Sequence, residues 1–160
     1  MADAQPRKYA EGTEVSAEKS RAELEALLRR HGATEFGIYT GTEQTMFLYR
    51  IHGRMVRHKV LVPPLPKLTS VRRVHGRALQ DVAQRAQDAE WRRRWRALVL
   101  VVKAKLEIIA SGGSTFEGEF LADILLADNQ TVGEAIMPRI AEVYSTGSMD
   151  GFLLGPGGSK

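Results

Sequence analysis

Apolar residues recur first at helical spacing, then in alternation, then at helical spacing again, and that order predicts a mixed chain. Leu24, Leu27, Leu28 and His31 share one helical face. The helix they define starts at Ser16 or Ser20, where Ser20 with Glu23 forms a capping box, and Gly32 supplies the left-handed residue that closes it. Its other face, with Glu23, Glu25, Arg29 and Arg30, reads as solvated. Residues 1–15 are polar and aperiodic, with Pro6 and Gly12, and read as a mobile arm.

Three strands follow, at 36–40, 45–51 and 54–62, the first ended by Gly41 and the last by Pro63 and Pro64. His52-Gly53 reads as a two-residue hairpin turn. That turn sets a register in which Ile51 opposes Arg54, Tyr49 opposes Val56, Phe47 opposes His58 and Thr45 opposes Val60. The alternate pairs are Arg50 with Met55, Leu48 with Arg57 and Met46 with Lys59. Opposed residues share a face. Phe47, Tyr49, Ile51, Val56 and Val60 form the core side, and Arg50, Arg57 and Lys59 lie on the other side among Met46, Leu48 and Met55.

Residues 63–77 hold three prolines with Lys67, Arg72, Arg73, His75 and Arg77 and read as a basic loop. A long helix is predicted over 78–110, free of Gly and Pro and ended by Gly112-Gly113. Its first half turns Leu79, Val82, Ala83 and Ala86 inward. Its second half is apolar almost all round, which predicts a buried central element against which the sheet packs. Ser114 with Glu117 predicts a capping box for a short helix over 115–122, residues 124–126 a strand, and Asp128-Asn129 a turn. Thr131 with Glu134 caps a last helix that passes Pro138, where a kink or restart is expected, and ends at Gly147. Phe152, Leu153 and Leu154 are expected to dock on the body, and residues 155–160 read as a flexible tail. The pattern predicts one α+β domain over 16–154: an N-terminal helix, a three-stranded antiparallel sheet, a long central helix and a small C-terminal helical part. There is no internal repeat.

At 160 residues the chain has room for one core. It has no cysteine, which removes disulfides, thiolate metal sites and cysteine nucleophiles. No apolar run approaches a membrane span and residues 1–20 have no signal-peptide core, so a cytoplasmic location is expected and no membrane partner. The net charge of +4 conceals an asymmetry: residues 1–48 carry −2, residues 49–106 carry +12 and residues 107–160 carry −6. Such a middle third suits a polyanion, or the acidic regions of the same fold.

Two features give that charge a geometry. The outer hairpin face, with Arg50, Arg57 and Lys59, suits a sheet meeting a nucleic-acid backbone, or a solvated face whose basic side chains cover apolar neighbours. The run Trp91-Arg92-Arg93-Arg94-Trp95-Arg96 is the other. Trp91 and Trp95 share the helical face of Leu98, Val102 and Ile109, which places them in the core rather than as stacking platforms for bases. Arg85, Arg92 and Arg96 form a stripe with Lys103, a phosphate track or a set of ion pairs to Glu117, Glu119 or Asp123. Because sheet and helix share a core, the two basic sets fall on different sides, and an oligomer that aligns one subunit's hairpin with the next subunit's helix would join them.

Catalytic signals are weak. His31, His52, His58 and His75 match no metal spacing and read as surface or cap residues. Glu117, Glu119, Asp123 and Asp128 are carboxylates close in sequence that could serve Mg²⁺, although capping and solubility explain them equally. Gly112-Gly113-Ser114 lacks the Lys-Ser/Thr of a phosphate loop, and Ser114 lacks the glycines of a nucleophile elbow. No enzyme activity, cofactor or metal is expected.

The segment 16–30, the hairpin 47–62 with its His-Gly-Arg turn, and the stretches 95–106 and 120–138 together resemble small proteins of phage and prophage genomes, over about residues 15–155. The resemblance implies a bacterial cytoplasm and a phage replication or recombination setting, and carries over no site residue. The order of three antiparallel strands and a long buried helix is also similar in topology to the core of single-strand-annealing ring proteins. The function expected is binding of nucleic acid, single-stranded by preference. The expected contacts are Arg50, Arg57, Lys59, Lys67, Arg72, Arg73, Arg77, Arg85, Arg92 and Arg96. The alternatives are a phage factor that binds and inhibits a host protein, and a metal-dependent nuclease using the acidic C-terminal third.

Overall fold

The computed structural model describes residues 9–10, 12–65, 73–74 and 77–149, with side chains of 73–74 and 77–80 outside the description. The expected docking of Phe152, Leu153 and Leu154, the tail, Lys67 and Arg72 therefore lie outside the described residues, as does most of the arm.

Helix α1, Ala17–Arg30, starts one turn earlier than the Ser20 box would set it. Ser16 is the N-cap, its Oγ accepting from the Lys19 N–H at 3.1 Å. Ser20 is fully buried and its hydroxyl donates to the Ser16 carbonyl, so it cannot cap, and Glu23 turns instead to Arg96. Gly32 takes the expected positive φ of 85° just beyond the C-cap His31.

Strands β1, Thr34–Thr40, β2, Gln44–Ile51, and β3, Arg54–Leu61, form an antiparallel sheet in chain order. The β2–β3 register is the one read from the turn at every pair from Thr45–Val60 to Ile51–Arg54. His52 at φ 49° and Gly53 at φ 73° both take left-handed conformations, as a type I′ turn demands. The inner face is buried at Phe47, Tyr49, Ile51, Val56 and Val60. His58 shares that face, against the expectation of a surface residue, because its pairing with Phe47 commits it there.

Within the predicted basic loop, β4, Arg73–Val74, and β5, Arg77–Ala78, form a short antiparallel pair. Helix α2 then runs over Leu79–Ala110. Trp95 is fully buried, Trp91 packs on the core, and Phe47 meets Trp95 edge to face at 6.4 Å between ring centres. Helix α1 lies along α2 through Leu24, Leu27 and Leu28, with the Arg21 guanidinium 5.4 Å from the Trp95 ring centre. Two expectations for α2 fail. Ala86 is exposed, whereas Ala83 a turn earlier is buried and Val82 half-buried. The second half is not buried all round: Val99, Val102 and Leu106 are inside, while Leu100, Val101 and Ile108 face outward.

Helix α3, Phe116–Phe120, is capped by Thr115, not Ser114: the Thr115 hydroxyl accepts from the Gly118 N–H. A 3-10 turn, Leu121–Asp123, leads to isolated bridges from Ile124 to Val56 and from Leu125 to Thr131, which replace the expected strand. Asn129 turns at φ 65°, within the expected Asp128-Asn129 turn. Helix α4, Val132–Thr146, has the full Thr131–Glu134 capping box, passes Pro138 without a restart and ends at Gly147 in the left-handed region. Among the described residues no helix is long and apolar enough to cross a membrane.

Candidate nucleic-acid interface

The sheet separates the basic residues into two sets. Arg50, Arg57 and Lys59 project from the outer face of β2 and β3, and α2 packs on the inner face through Trp95. The capping-box residue of α4 stands over the outer set: Glu134 takes both Arg57 and Lys59, and Arg57 also donates to the Asn129 carbonyl at 2.8 Å. Arg57 keeps only 10% of its side chain exposed. Arg50 pairs with Glu35 at 2.8 Å. The outer face thus binds the C-terminal helix to the sheet, and its cations are largely neutralised where they stand. Hydrogen bonds from Lys59 and the Thr131 N–H, together with the Arg57 charge, hold the Glu134 carboxyl at about 2.

The α2 set is different. Arg85, Arg92, Arg96 and Lys103 fall within about 20° of one line at helical rotation, and that line extends about 27 Å at the usual helical rise. Arg85 and Lys103 are exposed, and neither has an ion-pair partner among the described residues. Arg92 is half-buried, and its Nε has no hydrogen-bond partner among them. Arg96 pairs with Glu23 of α1 rather than with the acidic residues expected. Arg93 and Arg94 grip Glu90 one turn back, and hydrogen bonds from Arg93 first and Arg94 next hold that carboxyl at about 2. Arg94 also donates to the Leu61 carbonyl at 2.7 Å, which closes the end of the β3 edge. Arg73 and Arg77 sit on β4 and β5, immediately before α2.

A buried polar chain escaped the sequence reading. The Tyr49 hydroxyl meets His58 Nε2 at 2.9 Å, His58 Nδ1 lies 3.5 Å from Asp123 Oδ1, and Lys105 donates to Asp123 Oδ2 at 3.0 Å. Burial pushes the Asp123 carboxyl up, but His58 and Lys105 outweigh it and hold it below the usual carboxylate range. With Tyr49 fully buried and His58 nearly so, the chain ties β2, β3, the 3-10 turn and α2 together rather than facing a substrate. The register carried the signal: once Phe47 opposes His58, an imidazole lies on an apolar face and must find a partner inside. Both Asp123 carboxylate oxygens are engaged in this chain, Oδ1 by His58 and Oδ2 by Lys105. Among the described residues no group of three or more His, Asp or Glu side chains is placed to hold a metal ion.

Comparison with known proteins finds no matching family model, no matching curated protein and no matching solved structure.

Proposed function

We propose that this protein binds nucleic acid, single-stranded by preference, in the phage replication or recombination setting that its sequence resemblance implies, and that α2 supplies the contact. The observation that carries the reading is the Arg85, Arg92, Arg96 and Lys103 stripe. It is a line of guanidinium and ammonium groups on one helix, with two exposed members that have no ion-pair partner among the described residues. Arg73 and Arg77 extend the positive segment at its N-terminal end. Arg50, Arg57 and Lys59 contribute less, because a phosphate has to compete with Glu35 and Glu134. A mobility-shift assay on single-stranded DNA, duplex DNA and RNA, with and without Mg²⁺, tests the reading. Binding that neutralises about five phosphates of a single strand gives a slope of about −3.5 in log K against log salt. Arg85→Ala/Arg92→Ala should weaken it. No binding to any probe at low salt refutes it, and Mg²⁺-dependent cleavage of the probe establishes the nuclease reading instead.

One observation favours the second reading, a factor that binds a protein. Helix α4 has no buried residue, and Met137 and Tyr144 are 61% and 88% exposed. An apolar helix face open to this degree suits a macromolecular partner. A stable complex with a host protein that ignores added nucleic acid would establish it.

A further inference from the structure

Helix α1 packs on α2 with two unlike sides. On one side its Arg21 guanidinium lies over the Trp95 ring, and on the other its Glu23 takes Arg96. At helical rotation Arg21 and Glu23 stand about 160° apart on α1, so they flank the contact between the helices. Trp95 is fully buried, whereas the Glu23 and Arg96 side chains are 50% and 20% exposed. The Arg96 side is therefore a notch between two helices that opens to solvent.

Both walls of the notch are basic. One is the α2 line of Arg85, Arg92, Arg96 and Lys103. The other comes from α1, where Lys19, Glu23 and Arg30 again fall within about 20° of one line, over about 16 Å at the usual helical rise. Lys19 and Arg30 are exposed, and neither has an ion-pair partner among the described residues. The other two arginines of α1 are engaged: Arg21 pairs with Glu18, and Arg29 pairs with Glu25 and covers Phe36. Packed helices run with axes about 8–10 Å apart, so a phosphate chain lying in the notch is within reach of long side chains from both walls. Glu23 stands between Lys19 and Arg30, and a phosphate has to displace it from Arg96.

We propose that single-stranded nucleic acid lies in the notch between α1 and α2, with Lys19 and Arg30 contacting its phosphates from α1 and Glu23 opposing them. The inference rests on the reading of the α2 line as a phosphate contact, and it gives that line a second wall. Lys19 and Arg30 belong to the part of the chain, residues 1–48, whose net charge is −2, so charge along the sequence conceals them.

Titration of a labelled oligothymidylate at several salt concentrations, with a melting temperature for each protein, tests it. Lys19→Ala/Arg30→Ala should melt like the wild type, bind more weakly, and give a log K against log salt slope shallower by about 1.4, the loss of two phosphate contacts. Arg29→Ala, which removes a cation of the same helix outside the notch, should keep the wild-type slope. Glu23→Gln should bind more tightly than the wild type. A Lys19→Ala/Arg30→Ala chain with the wild-type slope, alongside an Arg85→Ala/Arg92→Ala chain that binds weakly, overturns the second wall and leaves the α2 contact standing. A Glu23→Gln chain that binds no more tightly also overturns the notch. A wild-type chain that binds no strand at low salt overturns the α2 contact and the notch together.

Discussion

The Tyr49 hydroxyl and His58 Nε2 meet at 2.9 Å on neighbouring strands, inside the core. Burial first and the nearby Asp123 charge second push the phenol well above its usual range, so Tyr49 keeps its proton. Whichever partner donates, the hydroxyl satisfies a buried imidazole nitrogen. Removing it leaves that nitrogen without a partner. Tyr49→Phe is therefore expected to cost about 1–3 kcal/mol, read as a lowered urea midpoint with unchanged slope. A variant as stable as the wild type would show that the contact contributes nothing.

Trp95 joins the two layers of the core, edge-on to Phe47 and under the Arg21 guanidinium. Trp95→Ala is expected to cost about 3–5 kcal/mol, with any loss of nucleic-acid binding following the loss of fold. If the variant melts like the wild type but no longer retains single strands, Trp95 is a stacking platform and not a core residue.

Arg57 and Arg85 should respond oppositely to truncation. Arg57 is nearly buried and joins β3 to Glu134 and Asn129, so Arg57→Ala should lower stability by about 1–3 kcal/mol. Arg85 is exposed, and Arg85→Ala should leave stability within about 0.5 kcal/mol while reducing affinity for a single strand. Calorimetry and mobility shift on the same two proteins read both effects.

Acid should unfold the protein through Glu134 and Glu90. Each has a folded-state pKa of about 2 against an ordinary 4.5, so the folded state binds fewer protons. Their contribution is full above about pH 4.5 and is lost as pH falls through the window towards 2. Glu134→Gln should flatten the stability profile in that window. An unaltered acid limb would show that the Arg57 and Lys59 contacts do not persist in solution.

Gly133 sits in the first turn of α4, where a Cβ would come within 2.9 Å of the Ala122 carbonyl oxygen and 3.3 Å of the Ala122 Cβ. Alanine normally gains about 1 kcal/mol over glycine inside a helix. Here the clash should reverse the sign, and Gly133→Ala should lower the denaturation midpoint. A raised midpoint would mean that α4 can move away from the 3-10 turn at little cost.

The sequence by itself determined whatever depends on near neighbours in the chain. The β2–β3 register followed from a two-residue turn, because side chains alternate with a period of two and the turn leaves one pairing. The Thr131–Glu134 cap, the glycine stops and the inward face of Trp95 followed from spacing along a single element. Tertiary structure decided what distance along the chain conceals. Which of two serines capped α1 depended on Ser20 being taken into the core. Glu134 lies 77 residues from Arg57, and Glu23 lies 73 from Arg96, so the cations that are neutralised and those left open could not be told apart by composition. The charge asymmetry was legible, but its meaning was not: an ion pair forms where two elements cross, and the crossing is set by packing. The same holds for α2, whose apolar residues all predicted burial, while the elements that pack on it, chiefly the three-stranded sheet, α1 and α3, leave Leu100, Val101 and Ile108 exposed.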